Sequence, residues 1–281
     1  MEQTVDSRAY AFAYLIREAS QVPADFNVEQ DFEYALFLPQ EIVPRFEVPR
    51  YVPRLLLAWP DHLSVYSHPS CGLEKTVLRF ADISFVELER FLTACSLTFF
   101  ASARVVHLPF HGRDREYVKM FLDHLKQRLL SIGKEPSLLC SRQVFGPHLD
   151  YKFEQIEVIL KVDAEAVITR FFVPPREVMK PRLLRQEFSW TFGSEILLTQ
   201  RELHLFSDDK DGYRQRYGFR ASWIPLRNIV DIVLSGTPQS IVIQLLEGLC
   251  LKMLIPDDLC AEAEKFVRFA AEQVRRSHNC L

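Results

Sequence analysis

The chain has 281 residues, of which 48% are hydrophobic and 25% are charged, a balance typical of a folded protein with room for two domains. The formal net charge of −3 gives no overall attraction for nucleic acid, although it leaves room for a local basic patch. Only 9 glycines are present, and neither the dinucleotide pattern G-x-G-x-x-G nor the P-loop pattern G-x-x-x-x-G-K-[ST] occurs.

The N-terminal segment carries no basic stretch followed by an apolar one, so it does not resemble a signal peptide. No part of the sequence reaches the ~18 uninterrupted apolar residues of a membrane span. We expect residues 1–40 to form a short helix, about Ser7–Ala19, and a lead-in to the first domain. The six cysteines are scattered without a C-x-x-C pair, and Cys95 and Cys250 fall inside strand-like runs. We therefore expect both to be buried free thiols in a cytoplasmic protein.

The two halves of the chain resemble each other. Four segments recur in the same order: FLPQEIVPR (37–45) with FVPPREVMKPR (172–182), LLLAWPDHLSVYS (55–67) with EILLTQRELHLFS (195–207), FADISFVEL (80–88) with IPLRNIVDI (224–232), and SLTFFASARVVHLPF (96–110) with SIVIQLLEGLCLKMLIP (240–256). An offset of 140 aligns Leu63 with Leu203, and an offset of 146 aligns Ile83 with Ile229. Recurrence of four segments in order indicates a duplication.

Each half predicts a series of short strands followed by an amphipathic helix. The strands predicted in the first half are Leu55–Trp59, Leu63–Val65, Val77–Phe80, Ile83–Leu88, Leu97–Phe100 and Val105–Phe110. Those predicted in the second half are Ile196–Leu198, Leu203–Phe206, Tyr217–Ile224, Ile229–Leu234, Ile241–Leu246 and Leu249–Ile255. A tight turn with positive φ is expected at Glu247-Gly248.

The helices are predicted from apolar positions spaced three or four residues apart. The first stripe consists of Tyr117, Phe121, Leu125 and Leu129. The second consists of Leu259, Ala263, Phe266, Val267, Ala270 and Val274, with Asp257 as the expected N-cap. Both stripes are expected to face a core.

The second half resembles the GRAM branch of pleckstrin-homology-like (PH-like) domains, through EILLTQRELHLFS, WIPLRNIVDIVLS and SIVIQLLEGLCLKMLIP. The matching positions are Leu197, Thr199, Leu203, Phe206, Ile224, Pro225, Leu226 and Ile229. The resemblance covers roughly 50–130 and 190–276, and the first half departs from it where Trp59 replaces the Thr199 position. It implies an α+β, mostly β chain of two PH/GRAM-like bent β-barrels, each closed by a C-terminal amphipathic α-helix. The expected domains are 41–133 and 176–281, with a structured linker over 134–175.

A basic hairpin is the main candidate binding site. Residues 208–220, DDKDGYRQRYGFR, lie between two predicted strands. In this segment, Lys210, Arg214 and Arg216 have the spacing K-xₙ-[KR]-x-R, which resembles the phosphoinositide-binding hairpin of pleckstrin-homology domains. Arginines on one side of a strand could hold a phosphate through forked, charge-assisted hydrogen bonds, and Arg220 extends the set. The alternating aspartates in the same segment leave a solvated, self-paired turn as the alternative.

A second basic stretch precedes the first strand of the later domain. It contains Arg176, Lys180, Arg182 and Arg185 and could face an anionic membrane surface or an acidic partner. The alternative is a set of exposed arginines and lysines that cover apolar neighbours.

No catalytic, metal or cofactor site is predicted. The pattern Asp209-Lys210-Asp211-Gly212 begins like a calcium loop, but Gly218 stands where the closing glutamate is needed. His62 and His204 lie near strand starts and are expected to face solvent.

The expected function is that of a non-catalytic binding or scaffolding module that contacts a protein partner through hairpin loops or an exposed sheet edge. The first alternative is peripheral membrane binding, to phosphoinositide or other anionic lipid, through the basic hairpin. The second alternative is an enzyme with a site assembled between the domains. No nucleic-acid partner is expected.

Overall fold

The structure is a computed structural model that describes residues 12–26, 28, 31–39, 41–43, 48–68, 72–90, 94–102, 104–132, 143–148, 151–160, 162, 166–181, 186–191, 193–208 and 218–279. The fold is α+β and mostly β, as the sequence predicts. It forms two compact units, the first comprising residues 1–83, 93–97 and 107–132 and the second comprising 84–92, 98–106 and 133–281.

Ten strands and one helix are described before residue 133. They are β1 (Tyr14–Ile16), β2 (Tyr34–Leu38), β3 (Glu41–Val43), β4 (Val48–Tyr51), β5 (Arg54–Ala58), β6 (His62–Ser67), β7 (Glu74–Arg79), β8 (Ile83–Arg90), β9 (Ala94–Ala101), β10 (Arg104–His111) and α1 (Arg115–Ser131). Short 3-10 helices span Ala19–Gln21, Phe80–Asp82 and Gly112–Asp114.

The remaining described chain adds ten strands and two helices. They are β11 (Gln143–Phe145), α2 (Tyr151–Ile159), β12 (Val167–Val173), β13 (Arg176–Pro181), β14 (Gln186–Thr191), β15 (Ser194–Thr199), β16 (Glu202–Asp208), β17 (Phe219–Pro225), β18 (Ile229–Ser235), β19 (Ser240–Leu245), β20 (Cys250–Leu254) and α3 (Cys260–Asn279). Three further 3-10 helices span Leu226–Asn228, Leu246–Gly248 and Asp257–Leu259.

In the first unit, a sheet of order β1-β2-β5-β6-β7 is buried on both faces at β2 and β5, because these two strands are nearly continuous hydrophobic runs, whereas its edge strand β7 is mostly exposed. One face belongs to a core of Ile16, Phe26, Phe32, Ala35, Phe37, Leu55, Leu57, Trp59 and Tyr66. Helix α1 contacts β2, where Tyr34 stacks on Phe121 at 6.0 Å between ring centroids. The helix buries Phe121, Leu125 and Leu129 as predicted, whereas Tyr117 is 41% exposed.

The largest sheet has the strand order β10-β9-β8-β17-β16-β15-β12-β11. Strand β17 pairs with β16 on one side and with β8 on the other, so the sheet continues sideways instead of closing. The described strands accordingly form open sheets of five, eight and three strands and two separate hairpins, and the closed barrels of the sequence-based prediction are not among them.

The three-stranded sheet β18-β19-β20 packs beneath α3. The predicted stripe of α3 and of the 3-10 turn before it is confirmed, because every one of its six members is less than 10% exposed. Asp257 is not the N-cap, since Pro256 takes that position ahead of the 3-10 turn Asp257–Leu259. The turn between β19 and β20 has positive φ at Glu247 (66°) and Gly248 (79°), as the sequence predicts.

The strand registers of the two halves correspond. In the β5–β6 hairpin Leu57 pairs with Ser64, and in the β15–β16 hairpin Leu197 pairs with His204, at an offset of 140. In the next pair of strands, Ser67 opposite Glu74 corresponds to Ser207 opposite Arg220. The hairpins β3–β4 and β13–β14 also interrupt the chain at equivalent places, between β2 and β5 and between β12 and β15.

Three predicted boundaries are wrong. The predicted helix Ser7–Ala19 is a strand at Tyr14–Ile16, because this segment pairs with β2; its first residues, 7–11, lie outside the described chain. Strands β1 and β2 belong to the same sheet as β5, so the first folded unit includes the predicted lead-in. Strand β12 lies between β11 and β15, so the predicted linker supplies an interior strand of the second unit.

The prediction that both strand cysteines are buried is half confirmed. Cys95 is 4% exposed on β9. Cys250 is an exposed free thiol, because it lies with Lys252 and Leu254 on the outer face of the edge strand β20, whereas Met253 is buried on the opposite face.

Candidate functional site

The basic hairpin corresponds to an insertion in the second repeat. Because Ser67 pairs with Glu74 and Ser207 with Arg220, the connection between equivalent strands is six residues longer in the second repeat (208–219 against 68–73). Lys210, Arg214 and Arg216 lie outside the described residues, so the phosphate-binding prediction for them stays a prediction.

Arg220, the last residue of the predicted set, is described. Its guanidinium contacts the carboxylate of Glu89, and its Nε lies 3.7 Å from Oε1 of Glu87. Burial raises the pKa of Glu87, and the charge of Arg220 opposes that rise. The described contacts of Arg220 are therefore with acidic side chains on the neighbouring strand β8.

The second basic stretch is described in part. Nη1 and Nη2 of Arg176 donate to the two carboxylate oxygens of Asp258 at 2.6 and 2.7 Å, a bidentate pair that lowers the pKa of Asp258. The backbone of Lys180 pairs with that of Glu187 in the β13–β14 hairpin. Arg182 and Arg185 lie outside the described residues. The structure thus assigns a partner to Arg176, and the prediction for the other three side chains stays a prediction.

A buried ionisable cluster that the sequence did not predict lies on β12, β15 and α2. Nη2 of Arg170 is 3.1 Å from Oε1 of Glu157, and its Nη1 is 3.9 Å from Oε1 of the fully buried Glu195. Burial raises the pKa of Glu195 to about 9, the charge of Glu157 raises it as well, and the charge of Arg170 opposes the rise. Glu195 is therefore a neutral acid at pH 7, next to an ion pair between Arg170 and Glu157.

This cluster helps to hold α2 on the sheet. Phe153 of α2 is fully buried and meets Phe172 edge to face at 5.0 Å. Lys152, one residue before it, forms an ion pair with Asp208 at the base of the basic hairpin. The arrangement can therefore anchor a helix through its buried apolar side chains and two ion pairs.

His204 does not face solvent as predicted; it is completely buried. Its strand, β16, lies inside the sheet between β15 and β17, and both faces of the sheet are covered there. Nε2 of His204 is 2.8 Å from Oε1 of Glu202, whereas Nδ1 has no hydrogen-bond partner. His62, the other histidine, keeps a partly exposed ring 2.7 Å from Asp61.

Over the described ranges, no group of three or more His, Cys, Asp or Glu side chains is placed to hold a metal ion. The buried cluster of Glu157, Arg170 and Glu195 lies beneath α2 and does not line the groove described below.

The edge strand β20 offers an open backbone. The N–H of Leu245 donates to the carbonyl of Leu249 at 2.8 Å, and that of Ile255 donates to the carbonyl of Gln239 at 2.9 Å. Alternate residues of an antiparallel strand direct both backbone groups to the same neighbour, so the odd-numbered residues of β20 bond to β19. The backbone groups on the opposite side belong to Cys250, Lys252 and Leu254. In the described part of the chain, β19 is the one strand that pairs with β20.

The side chains of that edge are exposed as well. Leu254 is 66% exposed, and Cys250 and Lys252 are exposed. The equivalent strand of the first repeat, β10, differs because Pro109 lacks an N–H and its carbonyl accepts from Nη1 of Arg54 at 3.5 Å. An exposed edge with apolar side chains is unusual in a protein that does not use it.

A groove of about 550 Å³ lies beside this edge on the outer face of the sheet. Its apolar lining includes Val230, Val233, Val242, Leu246 and Leu249, and Cys250 and Lys252 line it from β20. Val230 is 50% exposed and Leu246 is 46% exposed. The groove and the β20 edge together form one surface, which we call the β20 surface.

The other edge strand of the same small sheet, β18, has contacts with α3. Among them, Nε2 of His278 donates to the carbonyl of Ile229 at 2.7 Å. The alternation in 250–255 could have indicated which residues of β20 point outward, but it does not show that nothing covers them.

The sequence matches no protein-family model. No curated protein matches it either. None of the described helices combines the length and apolarity needed to cross a membrane.

Proposed function

We propose that the chain is a tandem PH/GRAM-like protein that acts as a non-catalytic binding module, and that it binds an extended segment of a partner protein at the β20 surface. The observation that carries this proposal is the row of outward backbone groups on β20, exposed next to an apolar groove. A partner strand would satisfy those groups by extending the sheet, and its side chains would cover the exposed apolar residues. A cytoplasmic location remains part of the proposal.

Duplication supports this assignment. The two repeats share strand order and register through their β5–β7 and β15–β17 segments, and each ends in an amphipathic helix that packs on its sheet. The first repeat protects the equivalent edge with Pro109, whereas β20 has no proline between residues 250 and 255. A difference of this kind between two copies favours a role for the edge that is open.

The test uses short random peptides displayed on phage and selected on the full chain. Lys252→Pro removes an outward N–H without removing a bond to β19, and Lys252→Gln keeps the N–H while removing the charge. We expect the selected peptides to lose affinity tenfold or more, about 1.4 kcal/mol, in Lys252→Pro and to keep a measurable affinity for Lys252→Gln. Selected peptides that bind Lys252→Pro as well as the original chain would refute the proposal.

Amide hydrogen exchange on the unaltered chain tests the same proposal without depending on whether the Lys252→Pro variant folds. Bound peptide should slow amide hydrogen exchange at Cys250, Lys252 and Leu254, because these N–H groups would enter a ladder. Protection elsewhere without protection at these amides would place the binding site off β20.

Anionic lipid is the second candidate ligand, and the observation that favours it is the insertion. The longer connection, residues 208–219, carries Lys210, Arg214 and Arg216, whereas residues 68–73 of the first repeat contain no lysine or arginine. Replacing Arg214 and Arg216 by alanine should abolish sedimentation with phosphoinositide-containing vesicles. Unchanged sedimentation would leave the protein-binding proposal alone.

A further inference from the structure

The side chains on the outward positions of β20 select among partners. Cys250, Lys252 and Leu254 lie on one face of the strand, and Val233 and Val242 are the neighbours of Lys252 across the sheet. A partner strand on the free edge would extend this row, so its residue opposite Lys252 would lie next to the ammonium group.

Lys252 has no carboxylate within ion-pair distance among the described residues. The acidic residues nearest in sequence, Glu247 and Asp257, are equally distant from Lys252, and Glu247 lies in the turn and lines the same groove. An added strand would bury part of the lysine, and a buried charge needs an opposite one. Cross-strand pairs of opposite charge are favourable and like charges directly opposite are unfavourable.

These relationships disfavour a second copy of this chain as the partner. An antiparallel pair of β20 strands centred on Lys252 would place two lysines opposite each other. A lysine in the middle of an exposed edge is a known device against such self-association. A segment of a different protein with a carboxylate at that position avoids the repulsion.

The positions on either side call for apolar residues. Leu254 is 66% exposed at one end of the row. At the other end Cys250 borders the groove and its apolar residue Leu249. Partner residues two places before and after the acidic one would lie beside them, because side chains alternate along a strand.

We infer that the partner of the β20 surface is an extended segment of another protein with the pattern apolar-x-acidic-x-apolar, whose carboxylate pairs with Lys252. This inference rests on the proposed function and adds the chemical class of the partner.

The experiment compares two synthetic peptides, Val-Thr-Glu-Thr-Val and Val-Thr-Lys-Thr-Val, each flanked by the same polar residues. Their affinities are measured for the full chain, for Lys252→Gln and for Lys252→Glu. We expect the original chain to prefer the Glu-centred peptide about tenfold, Lys252→Gln to show little preference, and Lys252→Glu to prefer the Lys-centred peptide. Added salt should weaken the preference, because salt screens an ion pair at the solvent-accessible edge of an interface.

The two proposals fail in different ways. If Lys252→Pro abolishes binding of both peptides but Lys252→Glu leaves their order unchanged, the edge binds strands and the acidic pattern is wrong. If Lys252→Pro changes neither affinity, the proposed function itself is wrong. If sedimentation equilibrium shows a dimer that Lys252→Pro dissociates, the occupant is a second copy and the inference is overturned.

Discussion

Glu195 of the second repeat occupies the place of Leu55 in the first. Leu55 lies opposite Tyr66, and at an offset of 140 Glu195 lies opposite Phe206. Both residues are completely buried. A carboxyl group at this place is costly to ionise, because it is completely buried and its described ion-pair contact, with Arg170, is as long as 3.9 Å.

Stability should therefore fall as the pH rises. The pKa of Glu195 is raised from its ordinary value of 4.5 to about 9 in the folded chain. Between these values the folded state binds more protons than the unfolded state, so the free energy of unfolding decreases by up to about 1.4 kcal/mol per pH unit. Urea unfolding of Glu195→Gln at pH 5, 7 and 9 should show a weaker decrease than the original chain.

The comparison at pH 5 serves as the control for this variant. Of the three pH values, the two chains should differ least at pH 5, because that pH lies only slightly above the ordinary carboxyl pKa of 4.5 and little of the pH-dependent loss has accumulated. Parallel decreases across the pH range would show that Glu195 does not ionise on unfolding.

Arg170 should stabilise the folded chain through its ion pair with Glu157. Both side chains are 13% exposed, and Nη2 of Arg170 donates to Oε2 of Glu157 at 3.2 Å. Arg170→Met would leave a partly buried carboxylate without its cation and should cost about 3 kcal/mol of unfolding free energy. In the double variant Glu157→Gln/Arg170→Met much of that loss should return. A double variant no more stable than Arg170→Met would mean that Arg170 acts through packing alone.

The sequence predicted what depends on local periodicity. The helix stripes around Phe121 and Phe266 and the strands from Leu55 onward follow from spacing alone. The boundary errors concern Tyr14–Ile16 and Val167–Val173, whose assignment depends on pairing with distant strands. Periodicity within a segment carries no information about such partners.

For the site residues, too, the sequence did not predict the properties that depend on contacts with other segments. Burial of His204 and exposure of Cys250 depend on what covers each face of a sheet, and a strand alternates identically whether or not a helix lies above it. The basic hairpin was visible as composition, but the open edge at Lys252 becomes visible only once the register of β19 and β20 is known.

Docking of α2 should depend on Phe153. Its ring is completely buried against Phe172, so Phe153→Ala would leave a cavity and cost about 3 kcal/mol or more. Val158→Ala is the matched control, because Val158 lies on the same helix and is 68% exposed. Denaturant midpoints should separate the two variants clearly. Equal midpoints would indicate that α2 contributes little to the folded state.

Thr199 should stabilise the turn between β15 and β16. Its Oγ1 accepts hydrogen bonds from the N–H of Glu202 at 3.1 Å and of Arg201 at 3.3 Å, and donates to the carbonyl of Glu202 at 3.0 Å. Thr199→Val keeps the shape and removes all three bonds, so it should cost roughly 1–3 kcal/mol.

Thr199→Ser provides the control, because serine keeps the hydroxyl and loses one methyl group. Thermal unfolding should rank the chains as original, Thr199→Ser and Thr199→Val in order of decreasing stability. The first repeat turns at Trp59 without this hydroxyl, and there the N–H of Trp59 donates to the carbonyl of His62 at 2.9 Å. If valine were as stable as serine, the backbone turn alone would suffice in both repeats and the threonine would serve only to fill space.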